Sequence, residues 1–377
     1  MSFERVQAIL VKEFKQVFRD PRMKTVIFVT PLIQIILFGY AANKDINFVP
    51  TAIYDQDNTK ESRELLRAFT FSKYFIPEHY INSNDEQDMI LDKSKASVVI
   101  RIDRGFGRNL NAGKDAEVQL AFDGTDSNTA MIVMGYADTV VSNYAQVTMK
   151  KRVEELSGRT SSVASVDLRD RPWFNGNLVS RNYYLPGVIA TIVTMMSLLL
   201  TAMAIVKEKE IGTMEQLIVS PLRPIELIAG KLLPFAVIAL IQITLITTLG
   251  VFWFHVPLRG NLFLLLFSTC IYLFTTLGIG LFISTISSTQ QEAMMSVFLF
   301  FMPATLLSGF AYPIANMPKV IQYFTFLNPL RYFMVVIRSI FLKGVGIEIL
   351  WPQLLPLVIM GLGVITLSAS RFRKTLG

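Results

Sequence analysis

The chain has one cysteine, Cys270, and two histidines, His79 and His255, far apart in sequence. A single thiol excludes an intramolecular disulfide and leaves the redox compartment unreadable. Neither CxxC nor H-E-x-x-H occurs, so no histidine- or cysteine-based metal or catalytic centre is expected. No G-x-x-x-x-G-K-[ST] occurs either: Gly230-Lys231 is followed by Leu232, and Ile225 stands where the first glycine would be. The chain thus has no P-loop with which to bind and hydrolyse ATP. Repeats of solenoid period and low-complexity tracts are absent. Charge is scarce as well, at 17% of residues against 52% hydrophobic, with a mean hydropathy of +0.44 over 377 residues. A soluble core cannot hide that much apolar surface, whereas lipid can. No cleavable leader is expected, because polar and charged residues precede the first apolar run and no small-residue cleavage site follows it.

What is there is a series of apolar runs. Residues 25–43 hold the first, uncharged through TVIFVTPLIQIILFGYAA, with Pro31 as an expected kink. Further runs occupy 183–206, 232–254, 261–283, 293–311 and about 349–370. The expected fold is an α-helical polytopic membrane protein with six transmembrane helices and an inserted α/β extracytoplasmic domain at 44–182. The transmembrane helices two to six fall within 183–370, and 371–377 is a short tail. Residues 1–24 form an N-terminal amphipathic helix, with Phe3, Val6, Leu10, Phe14 and Val17 at helical spacing; it suits a membrane interface or the side of a domain.

The net charge of +7 and pI near 9.3 do not point to nucleic acid, because the basic residues flank apolar runs. Thirteen of them, from Arg5 to Lys24, from Lys207 to Lys231 and from Arg371 to Lys374, lie on one side of a six-span topology. Five lie in the opposite short loops: Arg259, Lys319, Arg331, Arg338 and Lys343. The positive-inside rule then puts both termini in the cytoplasm. In the insert, Val49–Tyr54, Ala96–Ile102 and Val118–Phe122 read as strands. Thr59–Phe69, the stretch after the Ser83/Glu86 capping box and Asn128–Leu156 read as helices, giving a mixed sheet with helices against it. Asp55, Asp57, Asp123 and Asp126 invite a metal reading, but turn and cap roles explain them. Residues 312–347, interrupted by Pro313, Pro318 and Pro329, read as broken or re-entrant helices, with Asn328 capping and Pro329 opening one of them.

The apolar runs carry no Asp, Glu, Lys, Arg or His away from their ends. An ion-coupled secondary carrier needs ionisable groups at membrane depth, which speaks against that class. A membrane-anchored sensor or enzyme using the insert is the other alternative, and no catalytic constellation supports it. The strongest local pattern lies between the second and third runs: Lys207-Glu208-Lys209-Glu210-Ile211-Gly212-Thr213-Met214-Glu215-Gln216-Leu217, then Ser220-Pro221, Glu226-Leu227 and Gly230-Lys231. Ile211, Met214, Leu217 and Ile218 make an apolar face suited to a partner's groove, or to the ends of the chain's own spans.

This stretch resembles the E-x-E-x-G-T-x-E-x-L…S-P…E-L…G-K signature of permease subunits of ABC type-2 exporters. Lys12-Glu13, Gln16 and Arg19-Asp20-Pro21 resemble that family's interfacial helix. Leu307-Ser308-Gly309-Phe310 with Pro313 and Met317-Pro318 resembles its re-entrant turn, and Asn328-Pro329 with Arg331-Tyr332-Phe333 the segment that follows. The resemblance spans essentially the whole chain. The large domain after the first span marks the bacterial drug and amphiphile exporter branch. It implies an inner-membrane permease for lipophilic or amphiphilic substrates, paired with a second copy or a sister permease and often with a periplasmic adaptor. ATP and magnesium would be bound by separate ABC ATPase subunits, with no cofactor in this chain. Those subunits would dock on a coupling helix at 207–220 and on the N-terminal helix, through Glu208, Glu210, Ile211, Gly212, Thr213, Met214, Glu215, Leu217, Lys12 and Glu13. The second and fifth spans would meet at the subunit interface, where Thr194, Met195, Ser197 and Met203 with Met295, Phe298, Phe301 and Met302 are expected to line the substrate pathway; plain helix packing would explain the same residues.

Overall fold

Pro31 shapes the first apolar helix. The computed structural model describes residues 3–41, 46, 48–157, 173–175, 179–212 and 224–374. Helix α1 is Phe3–Arg19 and α2 is Pro21–Lys24. A π-helical turn at Thr25–Val29 then leads into α3, Thr30–Ala41. Proline has no N–H to give the carbonyl four residues back. Here that carbonyl, of Ile27, instead accepts Nε2 of the buried Gln242 at 2.6 Å. In hydrocarbon no water could take that role. The chain divides into two compact units, one of Met1–Lys44 with Arg171–Gly377 and the other of Asp45–Asp170.

The second unit is an α/β layer. It runs β1 (Val49–Asp55), α4 (Lys60–Phe71), β2 (Phe75–Tyr80), α5 (Asn84–Asp92), β3 (Val98–Ile102), α6 (Phe106–Ala112), β4 (Gln119–Phe122) and α7 (Ser127–Ser157). The sheet order is β2-β1-β3-β4, with β1 parallel to β2 and β3, and β4 antiparallel to β3. The sheet is mixed. Alternation along the strands sends Val49, Val98 and Ile100 to a core with Leu65, Phe69, Phe106 and Val133, and sends Ala52, Tyr54 and Val99 to the other face, against α5. Strand β2 and helix α6 go beyond the expected elements. β2 contains Pro77 and sits at the sheet edge, where a missing N–H is tolerated. Ser83 and Glu86 make the capping box: Glu86 N–H donates to Ser83 Oγ and Asn82 N–H to Glu86 Oε2.

The aspartates of this unit hold turns. Asp55 accepts from Asp57 N–H, Asn58 N–H and Ser62 Oγ–H. Asp57 accepts from Gly105 N–H at 2.7 Å and Gly107 N–H at 2.8 Å, the free donors that open α6. Burial pushes the Asp57 carboxyl up, but the Thr59 hydroxyl and these backbone N–H groups outweigh it and hold the group below the usual range. Among the described residues no group of three or more metal-ligating side chains forms.

The rest of the first unit is α8 (Ser180–Ile211), α9 (Pro224–Phe252), α10 (Leu262–Ile286), α11 (Gln290–Leu306), α12 (Lys319–Thr325), α13 (Pro329–Arg338), a π turn at Ser339–Lys343, and α14 (Ile347–Lys374). Four of these are long and apolar enough to cross a membrane: α8, α9 over Ile228–Phe252, α10, and α14 over Ile347–Ser370. Lys319–Thr325 with Pro329–Lys343, bent by 82°, would make a fifth. The expected count of six is therefore not reached by length and composition. The first apolar helix, Thr25–Ala41, has 17 residues. The run expected at 293–311 stops being helical at Leu306, before Gly309 turns left-handed at φ +79°. The bend at 319–343 has a clear cause. Asn328 Oδ1 caps Leu330 N–H while its Nδ2 donates to Ala304 O, so one side chain opens α13 and closes α11.

Candidate functional site

Four consecutive charged residues end α8, and at 100° per residue they cannot share a face. Three of them meet different elements. Glu208 turns into the protein, 5% exposed. Its carboxylate takes Lys12 Nζ of α1 at 2.9 Å and pairs with Lys231 Nζ of α9. Lys231, 3% exposed, also lies 3.7 Å from Glu13 of α1, itself 3% exposed. Two ammonium groups and two carboxylates make a neutral cluster that fastens α1, α8 and α9 together. Burial of such charges is tolerable only when they are paired, so each member depends on the others. Lys209 points elsewhere, donating to the Ser284, Thr285 and Ser287 carbonyls at 2.9, 3.4 and 3.3 Å. A cation there satisfies the C-terminal carbonyls of α10 and meets the negative end of its dipole. Glu210 accepts from Gln290 Nε2 at 2.5 Å, at the start of α11.

The close approach of α1 to α9 depends on Gly230. A Cβ there would meet the Ile9 side chain at 2.9 Å. The Gly230-Lys231 pair thus does two things: the glycine admits α1, and the lysine neutralises the carboxylates that α1 and α8 bring.

Beside the cluster is a cavity of about 510 Å³, reached by Glu13, Gln16, Asp20 and Lys207 on its polar side. Its apolar wall carries four methionines, Met23, Met196, Met203 and Met294, with Val17 and Phe235. Methionine walls adapt to ligands of different shape.

The expected residues are thereby sorted. Glu208 and Glu13, expected on a surface offered to a partner, are instead buried in an intramolecular cluster, because carboxylates at this crowded junction need the two lysines. Lys12 is half exposed, and Ile211 is 63% exposed. Gly212 ends α8 in the left-handed region at φ +80°. Thr213, Met214, Glu215 and Leu217 lie outside the described residues. Of the expected pathway residues, Thr194 and Ser197 are buried against α10: Thr194 Oγ1 lies 2.6 Å from Tyr272 Oη, and Ser197 Oγ donates to Thr276 at 3.1 Å. They join helices, as small hydroxyls do in membranes. Met203 lines the cavity, while Met195 and Phe301 are half-buried. Met295, Phe298 and Met302 stand exposed on α11 at 64%, 41% and 58%. Lys231 stands in the signature motif as Gly230-Lys231, yet it was not among the residues expected at the site. The signal was its place beside Gly230 in the motif that also contains Glu208.

Residues 24–370 match the family described as ABC-2 family transporter protein. The chain is 34% identical over 372 residues, 99% of each chain, to the probable multidrug ABC transporter permease YbhR of Escherichia coli. It is 33% identical over 349 residues to the probable multidrug ABC transporter permease YbhS of the same organism, covering 91% of this chain and 90% of that one. To the inner membrane transport permease YhhJ of Escherichia coli it is 30% identical over 372 residues, 97% of this chain and 96% of the other.

Proposed function

The chain belongs to the ABC-2 family of transporter proteins and is a multi-pass membrane permease, and from that premise we propose that it exports lipophilic or amphiphilic compounds from the cytoplasm or inner leaflet. It does so as the permease subunit of an assembly whose separate ABC ATPases hydrolyse the ATP. The relatives named as multidrug permeases support the substrate class. The chain itself carries no cofactor and no ATPase chemistry; ATP and magnesium sit in the partner subunits. Two permeases, identical or sister chains, make the pathway, with a periplasmic adaptor as a further partner. The exposed Met295, Phe298 and Met302 of α11 supply an apolar face for the second permease.

The observation that carries the mechanism is the cluster of Lys12, Glu13, Glu208 and Lys231. It locks the N-terminal helix to the end of α8, at the root of the stretch 207–220 on which the ATPase docks. Force applied there enters three helices together. The methionine-walled cavity next to it admits substrate, so an occupant touches Glu13, a member of the same cluster.

The purified chain alone is expected to hydrolyse no ATP. Reconstituted with its ATPase in proteoliposomes, it is expected to expel a fluorescent amphiphile only when ATP is hydrolysed. Robust turnover by the lone chain, free of contaminants, overturns the division of labour.

The proposed topology has six spans, counting α3 and α11 as short ones and 312–347 as re-entrant. The termini are cytoplasmic in the inner membrane, and 44–182 faces outward. With Cys270 replaced, an impermeant thiol reagent added outside intact cells should label a cysteine placed at Asn84 and spare one at Gln216. The reverse pattern inverts the topology.

A further inference from the structure

We propose that the aromatic-walled cavity between the start of α8 and the end of α13 binds the phosphate head group of an anionic phospholipid. The cavity measures about 610 Å³, and among the described residues its lining includes Arg338 and Lys343 and no carboxylate. Arg338 is the last residue of α13. Its Nη1 donates to Gly309 O at 3.0 Å, and its guanidinium lies 4.0 Å from the centre of the Tyr183 ring. Its Nε and Nη2 are shielded from solvent, and beyond the neighbouring Tyr183 they find no hydrogen-bond partner among the described residues. A guanidinium is always charged and presents its donors as a planar fork that matches phosphate oxygens. Shielded donors on a cation call for an anion. Lys343 stands on the same side, its ammonium 5.8 Å from the Phe174 ring.

Position selects the source of that phosphate. Ser180 begins α8 and Glu208 lies 28 residues further on, a rise of about 42 Å at 1.5 Å per residue. That is the thickness of a bilayer with its head-group regions, so the charge cluster and this cavity sit at opposite membrane faces. Aromatic side chains at head-group depth, here Trp173, Phe174, Tyr183 and Tyr184, are typical of that interface. Val335, 44% exposed, continues the wall as apolar surface on which acyl chains can lie. A free phosphate would leave that surface and the aromatic wall unused.

The full chain, purified in detergent, is mixed with phosphatidylglycerol or phosphatidylcholine and the retained lipid is counted by native mass spectrometry. Phosphatidylglycerol should be retained preferentially, by about tenfold, because the choline of phosphatidylcholine sets a third cation beside Arg338 and Lys343. Arg338→Gln should abolish the preference. Because Arg338 also holds Gly309, two variants at exposed positions carry the test. Lys343→Gln should reduce retention by about fivefold, the effect of one cation near an anionic surface, and Val335→Trp should reduce it by filling the cavity. Equal retention of the two lipids by the wild type overturns the proposal, as does unchanged retention in both exposed-position variants. Displacement of the lipid by millimolar inorganic phosphate overturns it too, since the site would then be one for the free ion. None of these outcomes bears on ATPase docking, so failure here leaves the exporter reading standing.

Discussion

Lys231→Met is expected to abolish export while leaving the ATPase bound. The substitution keeps the length of the side chain and removes its charge. Glu208 and Glu13, both buried, then face one another with only the half-exposed Lys12 for company. Removing one partner from a buried ion cluster costs about 3–5 kcal/mol, and here two buried carboxylates are left to share the single ammonium of Lys12. The thermal unfolding midpoint in detergent should therefore fall. The proposed docking stretch beyond Gly212 is untouched, so the ATPase should still co-purify.

A fall in export could follow from instability alone, and a second variant separates the two. Glu208→Met with Lys231→Met removes both charges of the closest pair and leaves Lys12 with Glu13. An apolar replacement of a buried pair is often neutral in stability. The double variant should recover most of the unfolding midpoint. If the cluster transmits force, export stays low, because α8 is no longer tied to α1. Recovery of export along with stability would reduce the cluster to a structural staple. Normal export by Lys231→Met alone would remove it from the mechanism. Lys12→Ala should be milder, since a half-exposed ion pair contributes about 0–1 kcal/mol.

Local chemistry made much of this fold legible. The Ser83/Glu86 box and the Asn328-Pro329 start announce helices because a cap and its donor lie within three residues of each other. The apolar runs of α8, α9, α10 and α14 are visible because lipid demands them. Strand β2 was hidden: FIPEHY carries a proline, an acid and a histidine, and only its pairing with β1 makes it a strand. The early end of α11 was hidden as well, since apolar residues continue past Leu306 while Gly309 breaks the backbone.

The site shows the same division. Glu208 was marked by its motif, but its burial was not readable, because its partner Lys12 lies 196 residues away. Nothing local says whether a Lys-Glu-Lys-Glu run faces water or each residue meets a different helix. Thr194 and Ser197, placed on a pathway only by the family resemblance, meet Tyr272 and Thr276 of α10. Motif membership marked these residues, whereas their direction depended on which helices pack.

Met214→Ala with Leu217→Ala and Glu215→Lys is expected to separate the permease from its ATPase. The stretch follows directly on α8, whose end is held by Lys209 on the α10 carbonyls and by Glu210 with Gln290. A helix end fixed on several sides cannot absorb motion locally, so displacement of the docked stretch must pass into α8 and its neighbours. On the proposed reading, Met214 and Leu217 supply the apolar anchors for docking. Truncating such an anchor at an interface hot spot costs about 2 kcal/mol each, roughly thirtyfold in affinity. Reversing Glu215 adds a mismatch of charge that slows encounter. The variant should still insert and reach wild-type abundance, because the Lys12, Glu13, Glu208 and Lys231 cluster is intact. Co-purification of the ATPase and export should therefore fall together, the opposite of the pattern expected for Lys231→Met, in which export falls with the ATPase still attached. If the triple variant exports normally with its ATPase bound, 207–220 is not the docking element. The force would then have to enter through α1, where Lys12 is the exposed member of the cluster.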